Sequence, residues 1–142
     1  IKALSVSNKV KNRLVVASDT TINFKGKLIN KANSYKQAKQ TIKNFSGKSH
    51  TINTSAAAYF NGKLLWKKTE KVIVKIRHLT EPEINNYIKK TGKSLFETTG
   101  CYQIEKNGPT IIESIKGDFF SVMGFPLFSF LVFLKKFNSV AK

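Results

Sequence analysis

A chain of 142 residues and 16.0 kDa is long enough for one domain with a real core, and 41% hydrophobic content with 11 Phe excludes a disordered polyelectrolyte. The net charge of +17 favours polyanionic partners such as nucleotides, nucleic acid or anionic lipid. Only Arg13 and Arg77 among the 25 cationic residues are arginine, and this Lys, Asn and Ile enrichment is what an AT-rich genome produces, so part of the charge reflects codon usage. A single cysteine, Cys101, excludes an internal disulfide and a cysteine-rich metal site, fits a reducing cytoplasm, and is read as a small buried residue.

In chain order, residues 1–12 read as the tail of a helix and Leu14 to Ser18 as a strand buried on both faces, ending at Asp19. Thr21 to Phe24 continues extended, and Lys25-Gly26 is a turn. Tyr35, Ala38, Ile42 and Phe45 share one helical face, with Asn33 or Ser34 as cap and Gly47 as terminator. His50 to Phe60 alternates with Ile52, Thr54, Ala56, Ala58 and Phe60 on one side, Asn61-Gly62 is a hairpin signal, and Lys63 to Trp66 starts the return. Glu70 to His78 reads as a further strand. Thr80-Glu81-Pro82-Glu83 forms a capping box for a helix that buries Ile84, Tyr87 and Ile88 and ends at Gly92. Gly100 to Ile104 and Thr110 to Ile115 read as short strands around a Lys106-Asn107-Gly108 turn. Pro126 opens a last helix with Leu127, Phe130, Leu131 and Leu134 on its core side. The apolar stretch from Phe119 to Leu134 is interrupted by Ser121, Gly124, Pro126 and Ser129 and falls short of the about 20 residues a membrane span needs. Strands interleaved with helices around a long central hairpin predict an α/β fold with a mixed twisted sheet and flanking helices.

Asp19 is the only carboxylate in the first 69 residues, with Lys31 following in Gly26-Lys27-Leu28-Ile29-Asn30-Lys31. An acid at the carboxyl end of a buried strand points into the crevice where α/β proteins bind ligands, and a magnesium ion takes one or two carboxylates with water and phosphate oxygens completing its shell. The same side chain can instead cap the turn that follows. On these residues both readings stand. Lysines absorb charge developing on transferring phosphoryl groups, but composition alone does not choose among so many.

Taken together, Lys2-Ala3, Ser18-Asp19-Thr20, Asn30-Lys31-Ala32, Phe45-Ser46-Gly47-Lys48-Ser49-His50, Gly100-Cys101-Tyr102-Gln103-Ile104-Glu105 and Ile115 to Leu127 resemble the Maf family, the septum-formation-inhibitor-like nucleoside triphosphate pyrophosphatases of inosine-triphosphatase-like fold. The spacing is kept over essentially the whole chain, which makes the set specific although no single piece is. The Gly-Cys-Tyr-Gln-Ile-Glu wording looks closest to an alphaproteobacterial branch.

The resemblance implies a single pyrophosphatase domain over residues 1–142, hydrolysing the α–β phosphoanhydride of pyrimidine, modified or non-canonical nucleotides to a nucleoside monophosphate and pyrophosphate. It implies Asp19 as catalytic acid and metal ligand, Mg2+ or Mn2+ as cofactor, and Lys2, Lys31, Thr20 and Glu105 as substrate-binding residues. Cytoplasmic localisation, a nucleoside triphosphate as partner, a homodimer as an allowed assembly, and no membrane or specific nucleic acid complete the expectation. The family's Ser-x-Arg-Arg phosphate loop, its first strand and a following glutamate precede everything in this chain, so the resemblance reads it as N-terminally truncated, with weakened activity. Ala32 replaces a proline and Ser18 an alanine. The rival expectation is a non-catalytic basic module binding nucleotides or nucleic acid, a pseudo-enzyme, although no readout signature accompanies the charge.

Overall fold

The computed structural model describes residues 2–140, with side chains described through Asn138. Ile1, the first residue of the predicted helix tail, lies outside them. Helix α1 (Lys2–Ser7) precedes strand β1 (Leu14–Phe24), followed by β2 (Lys27–Ile29), α2 (Tyr35–Phe45), β3 (Ser49–Phe60), β4 (Lys63–Ile76), α3 (Glu81–Thr91), β5 (Ile112–Lys116), α4 (Phe119–Val122) and α5 (Leu127–Val140). The strands form one sheet in the order β2-β1-β3-β4-β5. The α/β class with flanking helices is as expected. The mixed direction is corrected: every pairing among the described residues is antiparallel.

Two tight turns set this topology. Lys25 and Gly26 both adopt positive φ (51° and 79°), as do Asn61 and Gly62 (48° and 78°), the backbone a two-residue hairpin requires. Because β2 pairs only with Ile22, Asn23 and Phe24, the stretch 14–21 of β1 has a free edge on that side among the described residues.

Strand register sorts the side chains onto two faces. Ile22, Ile52 and Val72 lie in line across β1, β3 and β4 and join Ala38, Ile42, Phe45, Ile84 and Tyr87 in one core. Ile42 and Phe45 are fully buried there, each worth about 1.5–3 kcal/mol of apolar burial. At the other end of this face Trp66 stacks on Phe133 (5.8 Å, 21°) and meets Phe130 and Phe125, while Phe60 meets Phe137. The opposite face is covered at one end by α1, which packs on β1 and β3; Ser7 Oγ accepts from Gly62 N at 2.9 Å.

Several expectations are corrected here. The strand carrying Asp19 does not end there but runs to Phe24, because the β-branched and aromatic residues that follow stay paired with β3. Its first part is half-buried, not buried on both faces. The two strands expected over 63–66 and 70–78 are one fourteen-residue strand, since alternation continues through the lysines. Gly100 to Ile104 is an irregular segment, with Gly100 and Cys101 both at positive φ (87° and 62°), a backbone that cannot join a sheet. In α5, Leu131 is 48% exposed; Phe133 and Phe137, beside Phe130, make the contacts to the sheet. The capping box at α3 is present, and Ser34 caps α2. No helix among the described residues is long and apolar enough to cross a membrane.

Candidate active site

The chain holds eight acidic residues, and most are committed to structure. Glu81 pairs with Lys39, Glu70 with Lys68, Glu113 with Lys75, Glu83 with Arg77 and Glu97 with Lys106. Asp118 caps α4, accepting from Ser121 N at 2.7 Å. The two carboxylates left without a hydrogen-bond or ion-pair partner among the described residues are Asp19 and Glu105. Each lines a cavity. An unpartnered acid beside surplus lysine is free to meet a ligand, which separates these two from the six that hold the fold.

The cavity of Asp19 has a volume of about 470 Å3 and lies on the face shared with α1. Its floor is made of small residues, Ala17, Ser55 and Ala57, which share a face through the pairings Ala17–Ala57 and Asp19–Ser55. Lys2 from α1 and Lys67 from β4 line it as well. Small floor residues are what leave room for a ligand over an otherwise flat sheet. Ser55 and Thr69 hydroxyls, 2.9 Å apart, add neutral oxygens.

Thr20 follows Asp19 and therefore faces the other way. With Lys31, Glu97, Gln103 and Glu105 it lines a second cavity of about 230 Å3. The predicted site residues thus fall into two groups on the two faces of β1: Asp19 with Lys2, and Thr20 with Lys31 and Glu105. The structure does not bring Lys31 into the cavity of Asp19.

The second cavity is closed by the loop before α5, which is fastened through the core. Thr54, fully buried, donates to Ser121 O at 2.7 Å, so the Thr20 hydroxyl, 3.0 Å away, donates to Thr54. Replacing Thr54 by valine keeps the shape, removes the acceptor of the half-buried Thr20 hydroxyl and leaves Ser121 O to the backbone N–H groups of Met123 and Gly124. The expected cost is about 0.5–1.5 kcal/mol, read as a lower urea midpoint; an unchanged midpoint would show the network to be idle. On the rim, Gln103 and Lys106 hold the Glu97 carboxyl below its ordinary range, keeping it ionised.

In the cavity of Asp19 a divalent cation has that one carboxylate to bind, and no group of three or more His, Cys, Asp or Glu side chains converges among the described residues. That donor set suits an ion of the magnesium type, which arrives with phosphate oxygens and water and needs few protein ligands. It does not suit an all-protein cage.

Sequence reasoning missed Lys67, whose register with Ala57 and Ala17 follows from a bulge that one sequence does not mark, and Thr54, whose signal is a polar residue at an inward position of an alternating strand. The alternation was visible, but the partner of Thr54 was not.

The fold and its paired cavities define an α/β protein with a lone strand carboxylate set among cations, the outline of a phosphate-ester or anhydride-binding domain. The comparisons make this specific. The chain matches the family described as Maf-like protein over residues 1–137, and it belongs to that family. It is 31% identical over 135 residues to a nucleoside triphosphate pyrophosphatase of Caulobacter vibrioides, covering 95% of this chain and 67% of the relative. It is 33% identical over 134 residues to a 7-methyl-GTP pyrophosphatase of Bartonella quintana, covering 94% of this chain and 68% of that protein.

Proposed function

We propose that this protein is a nucleoside triphosphate pyrophosphatase that cleaves the α–β phosphoanhydride and releases a nucleoside monophosphate and pyrophosphate. The observation that carries the reading is the isolation of Asp19: a carboxylate with no structural partner, in a cavity that also holds Lys2 and Lys67. The names of the Caulobacter and Bartonella relatives support the same reaction class.

In this reading Asp19 takes the proton of a water whose oxygen attacks the α-phosphorus, and the bond from that phosphorus to the α–β bridging oxygen breaks. Lysine ammonium groups absorb the charge left on the departing pyrophosphate. A divalent cation held by Asp19 would add Lewis-acid polarisation of the phosphoryl oxygens. In this reading the polyphosphate meets Asp19 and Lys2, with Thr20, Lys31 and Glu105 contributing from the second cavity on the other face of β1.

The test is pyrophosphate release from a panel of canonical, methylated and deaminated nucleoside triphosphates, by the protein expressed from its complete reading frame, with and without magnesium or manganese. Release of pyrophosphate and monophosphate in equal amounts is expected. Nucleotide or nucleic-acid binding that falls steeply with salt, without hydrolysis of any member, would leave the non-catalytic reading in its place.

A further inference from the structure

Three lysines line the cavity of Asp19, and they are not equivalent. Lys68 lies on the opposite face of β4 from Lys67 and is engaged by Glu70 at 3.2 Å. Lys2 and Lys67 take part in no ion pair among the described residues. Lys67 shares its face with Asp19: β4 pairs Lys67 with Ala57 and Thr69 with Ser55, and β3 pairs those two with Ala17 and Asp19. Asp19 and Lys67 thus stand two strands and two residues apart, about 12 Å, with only alanine and serine between them. The four-carbon stem of Lys67 carries a compact, strongly hydrated charge that no ion pair among the described residues neutralises. Lys31, the other cation expected at the phosphates, lines the cavity on the far side of β1.

We propose that Lys67 is a phosphate-binding residue of this cavity and, with Lys2, receives the pyrophosphate part of the substrate. The inference rests on the pyrophosphatase reading and deepens it, by assigning the leaving group to the β4 side of the cavity. It also explains the small-residue floor, because a chain of phosphates lying from Asp19 toward Lys67 must cross positions 17, 55 and 57.

Calorimetric titration of the protein with inorganic pyrophosphate, in metal-free buffer at fixed ionic strength, reads the cations alone. Saturable binding is expected, weakened about tenfold in Lys67→Met, the size of one charge-assisted contact. Lys71→Met is the control, because Lys71 is exposed on the same face of β4 and outside the cavity; its affinity should match wild type. Equal affinity of Lys67→Met and wild type, equal losses in both variants, or no saturable binding each overturn the proposal. This outcome is separate from turnover. Lys67-dependent binding without any nucleotide hydrolysis removes the pyrophosphatase reading and keeps the anion site, whereas hydrolysis with Lys67-independent binding does the reverse.

Discussion

Replacing Asp19 by asparagine is expected to reduce turnover of the preferred nucleotide by about 10^2–10^4-fold, the range supplied by a positioned acid or base, while leaving the unfolding midpoint unchanged. Size and shape are nearly kept; charge and basicity are lost. The fold has little to lose, since Asp19 is exposed on β1 and makes no hydrogen bond or ion pair among the described residues. Paired kinetics and urea unfolding of the two proteins check both halves. Retained turnover would remove Asp19 from the chemistry, and a large drop in stability would turn it into a structural residue. Metal dependence offers a second readout. If Asp19 holds the cation, the variant should need a higher magnesium concentration to recover what activity remains.

The same side chain shows how far the sequence carries. Its identity as the isolated acid is legible from composition, because no other carboxylate occurs before Glu70. Its freedom from structural duty is not, since that depends on which acids and cations the fold brings together in space. The Asn61-Gly62 hairpin, the Lys25-Gly26 turn, the capping box and the inward set of β3 were readable, each being a local signal with a local cause, whereas the three-residue strand β2 that makes the second turn a hairpin was not. The single length of β4 was not. Lys67, Lys68 and Thr69 look like a break, yet they are the exposed stretch of a strand that Val72, Val74 and Ile76 anchor further on.

Cavity membership was lost at the same place. Counting back from the Asn61-Gly62 turn pairs Phe60 with Lys63 and Tyr59 with Leu64, but the register then shifts and Ala58 meets Trp66. The extra residue, Leu65, exchanges the faces of everything beyond it. Without that bulge Trp66 would line up with Ala57 and Ala17, and Lys67 would point at the covered face. Bulges of this kind leave no reliable mark in one sequence, so the cation opposite Asp19 could not be chosen from its neighbours. The split between Asp19 and Thr20 is simpler. It follows from strand alternation once the strand is known to continue past Asp19.

His50 closes the resemblance motif that starts at Phe45, and its position there invites a chemical role, yet the structure buries it. It is 3% exposed, stacks on Phe45 at 4.2 Å and shares a hydrogen bond with the Tyr102 hydroxyl 2.6 Å from Nε2. Burial alone pulls its pKa down from 6.5 to about 4, while burial pushes the Tyr102 hydroxyl up, so both stay neutral in the folded protein. The unfolded chain therefore binds a proton near pH 6.5 that the folded chain refuses until about pH 4, and stability falls as the pH is lowered through that window. A gap of this size corresponds to about 3 kcal/mol, of which about 2 kcal/mol is gone by pH 5. Carboxylates act lower down: Glu83, held at about 2 by Thr80 and Arg77, contributes stability that is lost only as the pH drops below 4.5. Urea unfolding at pH 7.5, 6.5, 5.5 and 5 isolates the histidine. The wild-type protein should lose stability across that series, and His50→Gln, whatever its absolute stability, should give a nearly flat profile. A flat wild-type profile, or the same slope in both proteins, would show that His50 carries its proton inside the fold.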